Sequence, residues 1–344
     1  MSRRTGIGAA LVAGLVSVVA IMAFAARAPG SGPNDRSVNG TIWVANRGAH
    51  TIRGFDASSG TVLQTVPMAP SSQPGDLAFA KGKLYVAEEF AAPPSIAIVD
   101  AATGTILKRI ATGPRPHHVH VSPGGTFVAY GVFGTNKVGV IDTATDTLLG
   151  EYEASANPAA RSHAGVFGKG GRNLTVYVAN DVTNELSAVN PRTGERLWTM
   201  TVPNAHELVV TENGRIAYVS CRAGNALRVV DLKLREILAT IALGPLPDTL
   251  QLSDDETQLT VGLRGSPAQL AVVDTRTWAF DIVTIGGAGT IAGHQWTSAN
   301  GRFTFAAFEG PGAGVAVIDH ETGNAIVQVL DYPGRPHGVD LARP

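Results

Sequence analysis

The chain has 344 residues, with 27 basic and 28 acidic side chains, and its formal net charge is −1. This balance argues against a nucleic acid as partner, because proteins that bind nucleic acids usually carry a basic excess. The single cysteine, Cys221, excludes an intramolecular disulfide. The 40 glycines and 20 prolines favour a structure with many turns.

The first segment of the chain resembles an export signal. Arg3 and Arg4 precede an uncharged run over residues 6–26, which contains a small-x-small sequence ending at Ala25. This order predicts a signal peptide cleaved after Ala25 or, alternatively, an uncleaved membrane anchor. In both cases the protein is predicted to be exported, either as an extracellular protein or with its folded part held outside the cytoplasm. The predicted boundaries are residues 1–28 for the signal or anchor, 29–38 for a flexible linker and 39–344 for the folded domain.

Seven repeats follow the linker. An apolar pair followed by Asp or Asn recurs seven times, with successive Asp or Asn residues 41 to 48 positions apart. Each repeat contains four short apolar runs, rich in β-branched residues and separated by Gly, Asn and Pro, which predict four antiparallel strands. Seven such units indicate an all-β, seven-bladed β-propeller. The recurring residues are Asp56, Asp100, Asp142, Asn190, Asp231, Asp274 and Asp319.

The two ends of the repeat array predict how the ring closes. The first repeat begins at residues 40–46 and lacks a preceding inner strand. The missing strand is found at residues 335–341, where RPHGVDL begins in the same way as RPHHVHV at residues 115–121. The C-terminal strand is therefore predicted to complete the first blade, which removes an exposed sheet edge.

The repeats also resemble a known family. The runs LYVAE, VYVAN and AYVSC, followed by VID and TGT, are similar to YVTN-type propeller repeats over roughly residues 40–341. The resemblance implies a lactonase-like seven-bladed propeller, and members of the family include bacterial surface and periplasmic proteins. Broader seven-bladed relatives include sugar-lactone hydrolases and copper enzymes. The resemblance is specific for the fold and leaves the chemistry open, because propellers carry many functions.

Histidines concentrate where the seven predicted inner strands begin. When these strands are aligned, two adjacent columns contain six of the nine histidines of the chain. Inner strands surround the central channel of a propeller, so we expect these residues to converge at one mouth. The first column is Gly75, His117, His163, His206, Asp248, Gly293 and His337, and the second is Asp76, His118, Ala164, Glu207, Thr249, His294 and Gly338.

This concentration favours a transition-metal site. Neutral imidazoles bind copper, zinc, iron and nickel, and carboxylates in the same columns are placed to orient the rings. Copper is the first choice for an exported protein with a histidine-rich site, partly by analogy with copper propellers, and redox activity is one expectation. The candidate metal ligands are His117, His118, His163, His206, His294 and His337.

A second ring of side chains is predicted around the same mouth. It comes from the ends of the second strands, at Asn46, Glu88, Val132, Asn180, Cys221, Arg264 and Glu309. With its acidic and basic groups, the mouth is also suited to bind or hydrolyse a small polar ligand, with a histidine or glutamate as general base. The candidate ligand-binding residues are Asp76, Glu88, Glu207, Asp248, Arg264 and Glu309.

Two further interpretations stay open at this stage. In the first, the histidines are structural and cap strands at a solvent-filled channel mouth. In the second, the protein is a non-catalytic scaffold that binds a protein or a glycan on one face of the propeller. The sequence therefore does not decide between an enzyme and a binding protein. Among the remaining residues, His120 is predicted to pack behind the site, His50 and His320 lie in loops, and Cys221 is either a buried apolar residue or a soft ligand.

Overall fold

The structure, a computed structural model, describes residues 38–170 and 173–343. Within these residues, 28 strands form seven antiparallel sheets of four strands each, arranged in a ring. The predicted all-β, seven-bladed propeller is confirmed. The signal or anchor predicted for residues 1–28 lies outside the described residues. In the part of the chain that is described, no helix is long and apolar enough to span a bilayer.

Each blade runs from an inner strand at the channel to a fourth strand at the rim. The inner strands of blades one to seven are β28 (Pro336–Ala342), β4 (Pro74–Ala80), β8 (Pro116–Val121), β12 (Ser162–Gly170), β16 (Ala205–Val210), β20 (Pro247–Leu252) and β24 (Ile291–Thr297). The second strands are β1 (Thr41–Asn46), β5 (Lys83–Glu88), β9 (Phe127–Val132), β13 (Asn173–Asn180), β17 (Ile216–Cys221), β21 (Gln258–Leu263) and β25 (Phe303–Glu309).

The two outer positions of each blade are filled in the same order. The third strands are β2 (Thr51–Asp56), β6 (Ser95–Asp100), β10 (Lys137–Asp142), β14 (Glu185–Val189), β18 (Ala226–Asp231), β22 (Gln269–Asp274) and β26 (Gly314–Asp319). The fourth strands are β3 (Val62–Pro67), β7 (Ile106–Ala111), β11 (Thr147–Glu153), β15 (Arg196–Thr201), β19 (Glu236–Ala242), β23 (Phe280–Thr284) and β27 (Ala325–Asp331).

The ring closes through the C-terminal strand. Strand β28 pairs antiparallel with β1, with Leu341 opposite Ile42 and Val339 opposite Val44. Both ends of the described chain therefore build blade one, as the shared Arg-Pro-His sequence predicts. Closure gives β1 a strand partner on both sides, so that β1 is not a sheet edge.

The hydrophobic core is divided among the seven blade interfaces. Trp43 of blade one packs in one cluster with Leu84 of blade two, and Val44 on the other face of blade one packs with Phe305 of blade seven. Five further clusters of buried residues fill the other interfaces in the same way. Because successive side chains of a strand point to opposite faces, each second strand serves two interfaces. The rigidity of the ring therefore comes from between the blades, which leaves the channel free for polar groups.

The repeated Asp or Asn has a local structural role. The Oδ1 atom of Asp56 accepts hydrogen bonds from the backbone N–H groups of Ser58 and Ser59, at 3.1 and 2.7 Å. The equivalent oxygen closes the turn after the third strand in every blade. A short acceptor side chain at this point is the usual way to stabilise such a turn. The strongest repeat signal in the sequence thus belongs to the fold.

Candidate functional site

All seven inner strands are irregular at the two predicted columns. In each blade the pairing between inner and second strand shifts register there, for example between His117 and Val119 in β8 and between Ala205 and Glu207 in β16. A bulge re-aims side chains that a regular strand would send to opposite faces. His118 has a left-handed backbone, with φ of 40°, which few non-glycine residues adopt. These irregularities bring two consecutive side chains per blade to the channel.

The structure brings the six predicted histidines into one buried cluster. The ring centroids of His117 and His118 are 4.2 Å apart, and that of His163 lies 4.7 Å from His117 and 4.3 Å from His118. His294 stacks on His118 at 4.4 Å. The chain of contacts continues from His163 to His206 at 3.7 Å and from His294 to His337 at 4.7 Å. All six side chains are buried.

Five of these imidazoles have a carboxylate beside the Nδ1 atom. The Nδ1 atoms of His117 and His206 form hydrogen bonds with Glu89 and Asp181, at 2.9 and 3.0 Å. In three further pairs the Nδ1–oxygen distances are between 2.9 and 3.3 Å. They are His118 with Glu207, His294 with Asp76 and His337 with Glu309. For His117, the hydrogen bond from Nδ1–H to Glu89 leaves the Nε2 lone pair available to a metal.

Burial keeps most of the cluster uncharged. It lowers the pKa of His118, His163 and His337 well below the usual value, and neighbouring histidines lower it further. The pKa of His117 is also lowered by burial, although Glu89 opposes this. His206 differs. Burial lowers its pKa, but Asp248 and Asp181 outweigh that effect and raise it.

Three groups of side chains have the composition and spacing of metal ligands. In each group the potential ligand atoms lie within 4.8 Å of one another. His118 belongs to all three. The groups are His117, His118 and His163; Asp76, His118 and His294; and His118, His120 and Glu207. His206 and His337, which were also predicted as ligands, lie outside these groups and are engaged with Asp248 and Glu309.

The channel contains two cavities with different linings. The mouth cavity, of about 330 Å³, lies at the start of the inner strands and is bordered by His117, His118 and His163. The inner cavity, of about 240 Å³, lies farther along the same strands and is bordered by Asp76, Glu207 and Asp340. Five arginines complete the mouth cavity, at positions Arg47, Arg115, Arg222, Arg264 and Arg335.

Four of the five arginines are paired with buried carboxylates. Arg47 binds Glu89 at 2.6 Å. Arg222 contacts Asp248, and the Nε atom of Arg264 lies 3.3 Å from that carboxylate. The Nε atom of Arg335 donates to Glu309 at 2.8 Å. Burial would raise the pKa of Glu89, but His117 and Arg47 lower it to about 2, so this carboxylate is ionised at neutral pH.

Five of the six predicted ligand-binding residues border a cavity or contact its lining. Asp76 and Glu207 border the inner cavity, Asp248 and Arg264 border the mouth cavity, and Glu309 contacts Arg264 and Arg335 behind it. Glu88 is placed differently. It is fully buried within blade two, where it accepts hydrogen bonds from Ala69, Ser95 and Arg109.

Of the other singled-out residues, Cys221, His50 and His320 border neither cavity, whereas His120 does. Cys221 packs in the core between blades four and five, in accordance with its interpretation as a buried apolar residue. His320 binds Thr304 and Asn324, and His50 accepts a hydrogen bond from Gln73. His120 borders the inner cavity, with its Nε2 atom 4.0 Å from Glu207.

Sequence reasoning missed the residues that lie just beyond the second strands. Glu89 and Asp181 follow β5 and β13 by one residue and hold the Nδ1 atoms of His117 and His206. Gly75 occupies the histidine column in blade two, and the Glu89 carboxylate fills the space that a side chain there would need. The arginines Arg47 and Arg222 follow their second strands in the same way. This recurrence of charged residues was the available signal.

Fold and site together define a seven-bladed β-propeller with a histidine-rich, arginine-lined channel. Residues 48–231 match the sequence profile of the family described as outer membrane protein assembly factor BamB, and the chain belongs to this family. No curated protein matches the chain by sequence. The YVTN-type resemblance is therefore confirmed for the propeller fold, while membership of the YVTN family stays a prediction.

Solved structures support the same architecture. A functionally unknown protein from Desulfotomaculum acetoxidans is 11% identical, with a TM-score of 0.70 over 89% of this chain and 100% of that one. A putative 6-phosphogluconolactonase from Bacteroides fragilis is 14% identical, with a TM-score of 0.68 over 90% and 99%. The hydrazine synthase of Kuenenia stuttgartiensis is 17% identical, with a TM-score of 0.66 over 83% and 93%. At such identities the likeness shows the fold alone.

Proposed function

We propose that the channel binds a transition-metal ion through His117, His118 and His163, with copper as the preferred ion. The observation that carries this proposal is the buried group of three imidazoles whose ligand atoms lie within 4.8 Å of one another. Metal–nitrogen bonds of about 2 Å place nitrogens on a shared ion no more than about 4 Å apart. The side chains therefore need to move by less than about 1 Å to bind one ion.

The protonation of the three imidazoles supports this role. A histidine must be uncharged to bind a metal, and burial lowers the pKa of all three imidazoles. Glu89 fixes the Nδ1–H tautomer of His117 through a 2.9 Å hydrogen bond. The Nδ1 atom of His163 is buried and has no hydrogen-bond partner among the described residues. A buried polar atom without a partner is costly, and a bound ion would remove that cost.

The donor set favours copper among the possible ions. Imidazole suits zinc, copper, iron and nickel, and the affinity of a given nitrogen site is highest for Cu²⁺ among the divalent ions of this series. All three candidate groups contain only imidazole and carboxylate ligands. A copper ion held there would supply one-electron redox chemistry at the mouth cavity. The chain itself would hold the ion, keep the ligands neutral and admit a partner through the mouth.

We infer that this function is carried out after export. The inference is supported by the signal-like composition of residues 1–28 and by the name of the matching family, which refers to the outer membrane. A copper site of this kind is compatible with an exported protein. Its proposed ligands are histidines and not thiols, so they do not need a reducing compartment to stay intact.

Elemental analysis tests the proposal directly. Untagged protein is incubated with copper, zinc, iron and manganese, desalted and measured by mass spectrometry. We expect one copper per chain, and an electron paramagnetic resonance signal with splitting from nitrogen ligands. The double substitution of His118→Ala with His163→Ala should abolish both. His320→Gln is the matched control, because His320 is a histidine held by Thr304 and Asn324 outside the channel.

The outcomes separate the alternatives. Copper retained by the control and lost by the double variant identifies the channel as the site. No retained metal, or equal retention by the double variant, would refute the proposal and favour a non-catalytic scaffold or a hydrolase acting on a small polar ligand.

A further inference from the structure

We propose that the mouth cavity binds a small-molecule oxyanion, a carboxylate or a phosphate, with Arg115 as its principal ligand. The mouth cavity is bordered by five arginines, and its volume of about 330 Å³ falls in the range of small-molecule sites. This proposal goes beyond metal binding and does not require a bound metal. It is carried by Arg115, the arginine of this cavity that has no carboxylate partner among the described residues.

The two Arg-Pro-His segments show how Arg115 differs. Arg335 precedes β28, and its Nε atom donates at 2.8 Å to Glu309, the last residue of the second strand in the preceding blade. Arg115 holds the same place before β8, and the equivalent carboxylate is Glu88. Glu88 is turned into blade two and bound to Ser95 and Arg109. Arg115 therefore has no carboxylate partner among the described residues.

The Arg115 guanidinium is nonetheless held in place. Its central carbon lies 4.7 Å from the ring centroid of Phe133 and 5.3 Å from that of Phe90. The backbone carbonyl of Arg115 accepts a hydrogen bond from the N–H of Phe133 at 3.0 Å. Contact with two aromatic rings restricts where a guanidinium lies and leaves its N–H groups available to an acceptor.

Unused donors concentrate at this cavity. In the described part of the chain, three arginines have a buried Nε atom without a hydrogen-bond partner, and all three border the mouth cavity: Arg47, Arg115 and Arg222. Buried donors are normally satisfied, so this cluster indicates a missing acceptor. Within residues 38–170 and 173–343, the five arginines of the cavity contact three carboxylates, those of Glu89, Asp248 and Glu309.

The geometry of the Arg115 guanidinium indicates which class of ligand would bind. A guanidinium presents a planar fork that matches the two oxygens of a carboxylate or a phosphate. The rings of Phe90 and Phe133 offer apolar surface beside that fork, and Phe90 is 45% exposed. The cavity therefore suits a small organic acid or phosphate ester whose charged group lies on Arg115 and whose remaining part lies toward the imidazoles.

Calorimetric titration of metal-free protein tests this site. The chain is treated with a chelator, dialysed and titrated at low ionic strength with inorganic phosphate and, separately, with succinate. We expect saturable binding of at least one anion, and the stronger of the two identifies the chemistry. Arg115→Gln should weaken binding about tenfold or more, because a hydrogen bond to a charged group is lost.

Arg53→Gln is the matched control. Arg53 also lies over two aromatic rings, those of Phe55 and Tyr332, but its Nε atom already donates to Thr65 at 3.1 Å. Binding by this variant should equal that of the wild type. Arg115→Lys keeps the charge and loses the fork, and it should weaken binding several-fold.

Three results would overturn the proposal. They are no saturable binding of either anion by the wild type, equal weakening by Arg53→Gln and Arg115→Gln, and full binding by Arg115→Lys. Because the protein is free of metal throughout, these results do not depend on whether the histidines bind copper.

Discussion

Glu89 at the mouth differs in its pKa from two buried carboxyl groups of the inner cavity, Glu207 and Asp340. At the mouth, Glu89 lies between Arg47 and His117, and its pKa is lowered to about 2. In the inner cavity, burial raises the pKa of Glu207 well above its usual range, and burial raises that of Asp340 to about 7. The difference lies in the neighbouring groups, because five arginines border the mouth cavity. In the inner cavity, burial would raise the pKa of Asp76, but His294 outweighs that effect and keeps the pKa lowered. Burial alone therefore does not set the charge of a carboxylate, and its nearest partners do.

The comparison depends on strand β28, which serves both cavities. His337 borders the mouth cavity and Asp340 the inner cavity. Deleting residues 335–344 should therefore have the largest effect on the protein. It removes the partner of β1 and exposes the interfaces that Val339 and Leu341 fill, at a cost of about 5 kcal/mol or more, comparable to the whole stability of a domain. Thermal unfolding followed by circular dichroism should show loss of the cooperative transition. An unchanged midpoint would contradict ring closure by this strand.

Removing one carboxylate from each cavity tests the comparison itself. Glu89→Gln should destabilise the metal-free protein by about 3 kcal/mol at pH 7, because Arg47 loses a buried charge partner and the hydrogen bond from His117 is weakened. Glu207→Gln should cost less than about 1 kcal/mol, because an amide resembles the protonated acid that burial favours there. Chemical denaturation at pH 7 measures both. Equal losses of stability in the two variants would contradict the prediction that Glu89 is ionised and Glu207 is protonated at pH 7.

The pH dependence of stability should identify Asp340. Its folded pKa of about 7 lies above the usual 3.8, so the folded state holds the proton longer than the unfolded state. The contribution of Asp340 to the free energy of unfolding is therefore largest below about pH 4, and it is lost as the pH rises through about 7. Between pH 5 and 8 the loss should be about 2–3 kcal/mol. Asp340→Asn should flatten this part of the curve, measured by denaturation at each pH, and an unchanged slope would contradict the assignment.

The smallest effect is expected at His120. It borders the inner cavity, and burial lowers its pKa to about 4, so it is neutral and its Nε2 atom has no hydrogen-bond partner among the described residues. His120→Gln should change stability by less than about 1 kcal/mol. It should also leave one copper per chain, if the ion is bound by His117, His118 and His163. Loss of copper in this variant would place the ion with His118, His120 and Glu207 instead.

Repetition made the fold readable from the sequence. The Asp or Asn after each third strand closes a local turn, so its spacing reports the blades directly. The second Arg-Pro-His segment predicts ring closure for the same reason, because it copies the start of an inner strand. The two columns of polar residues were also visible, since they recur at one position of every repeat. Interactions within a single blade recur in all seven repeats, so the residues that make them recur at regular spacing in the sequence.

Tertiary structure decided which side chains meet and what charge they carry. The register shifts in the inner strands direct two consecutive residues into the channel. No residue pattern found in the sequence predicts these shifts. Alignment placed Glu88 at the mouth, whereas Glu89 is the residue that reaches His117. Arg115 has no carboxylate partner in the described structure because Glu88, in the neighbouring blade, binds Ser95 and Arg109 instead. The sequence by itself determined the ring and the convergence of its histidines, and only the packing of neighbouring blades decided their partners, because partners in space come from different repeats.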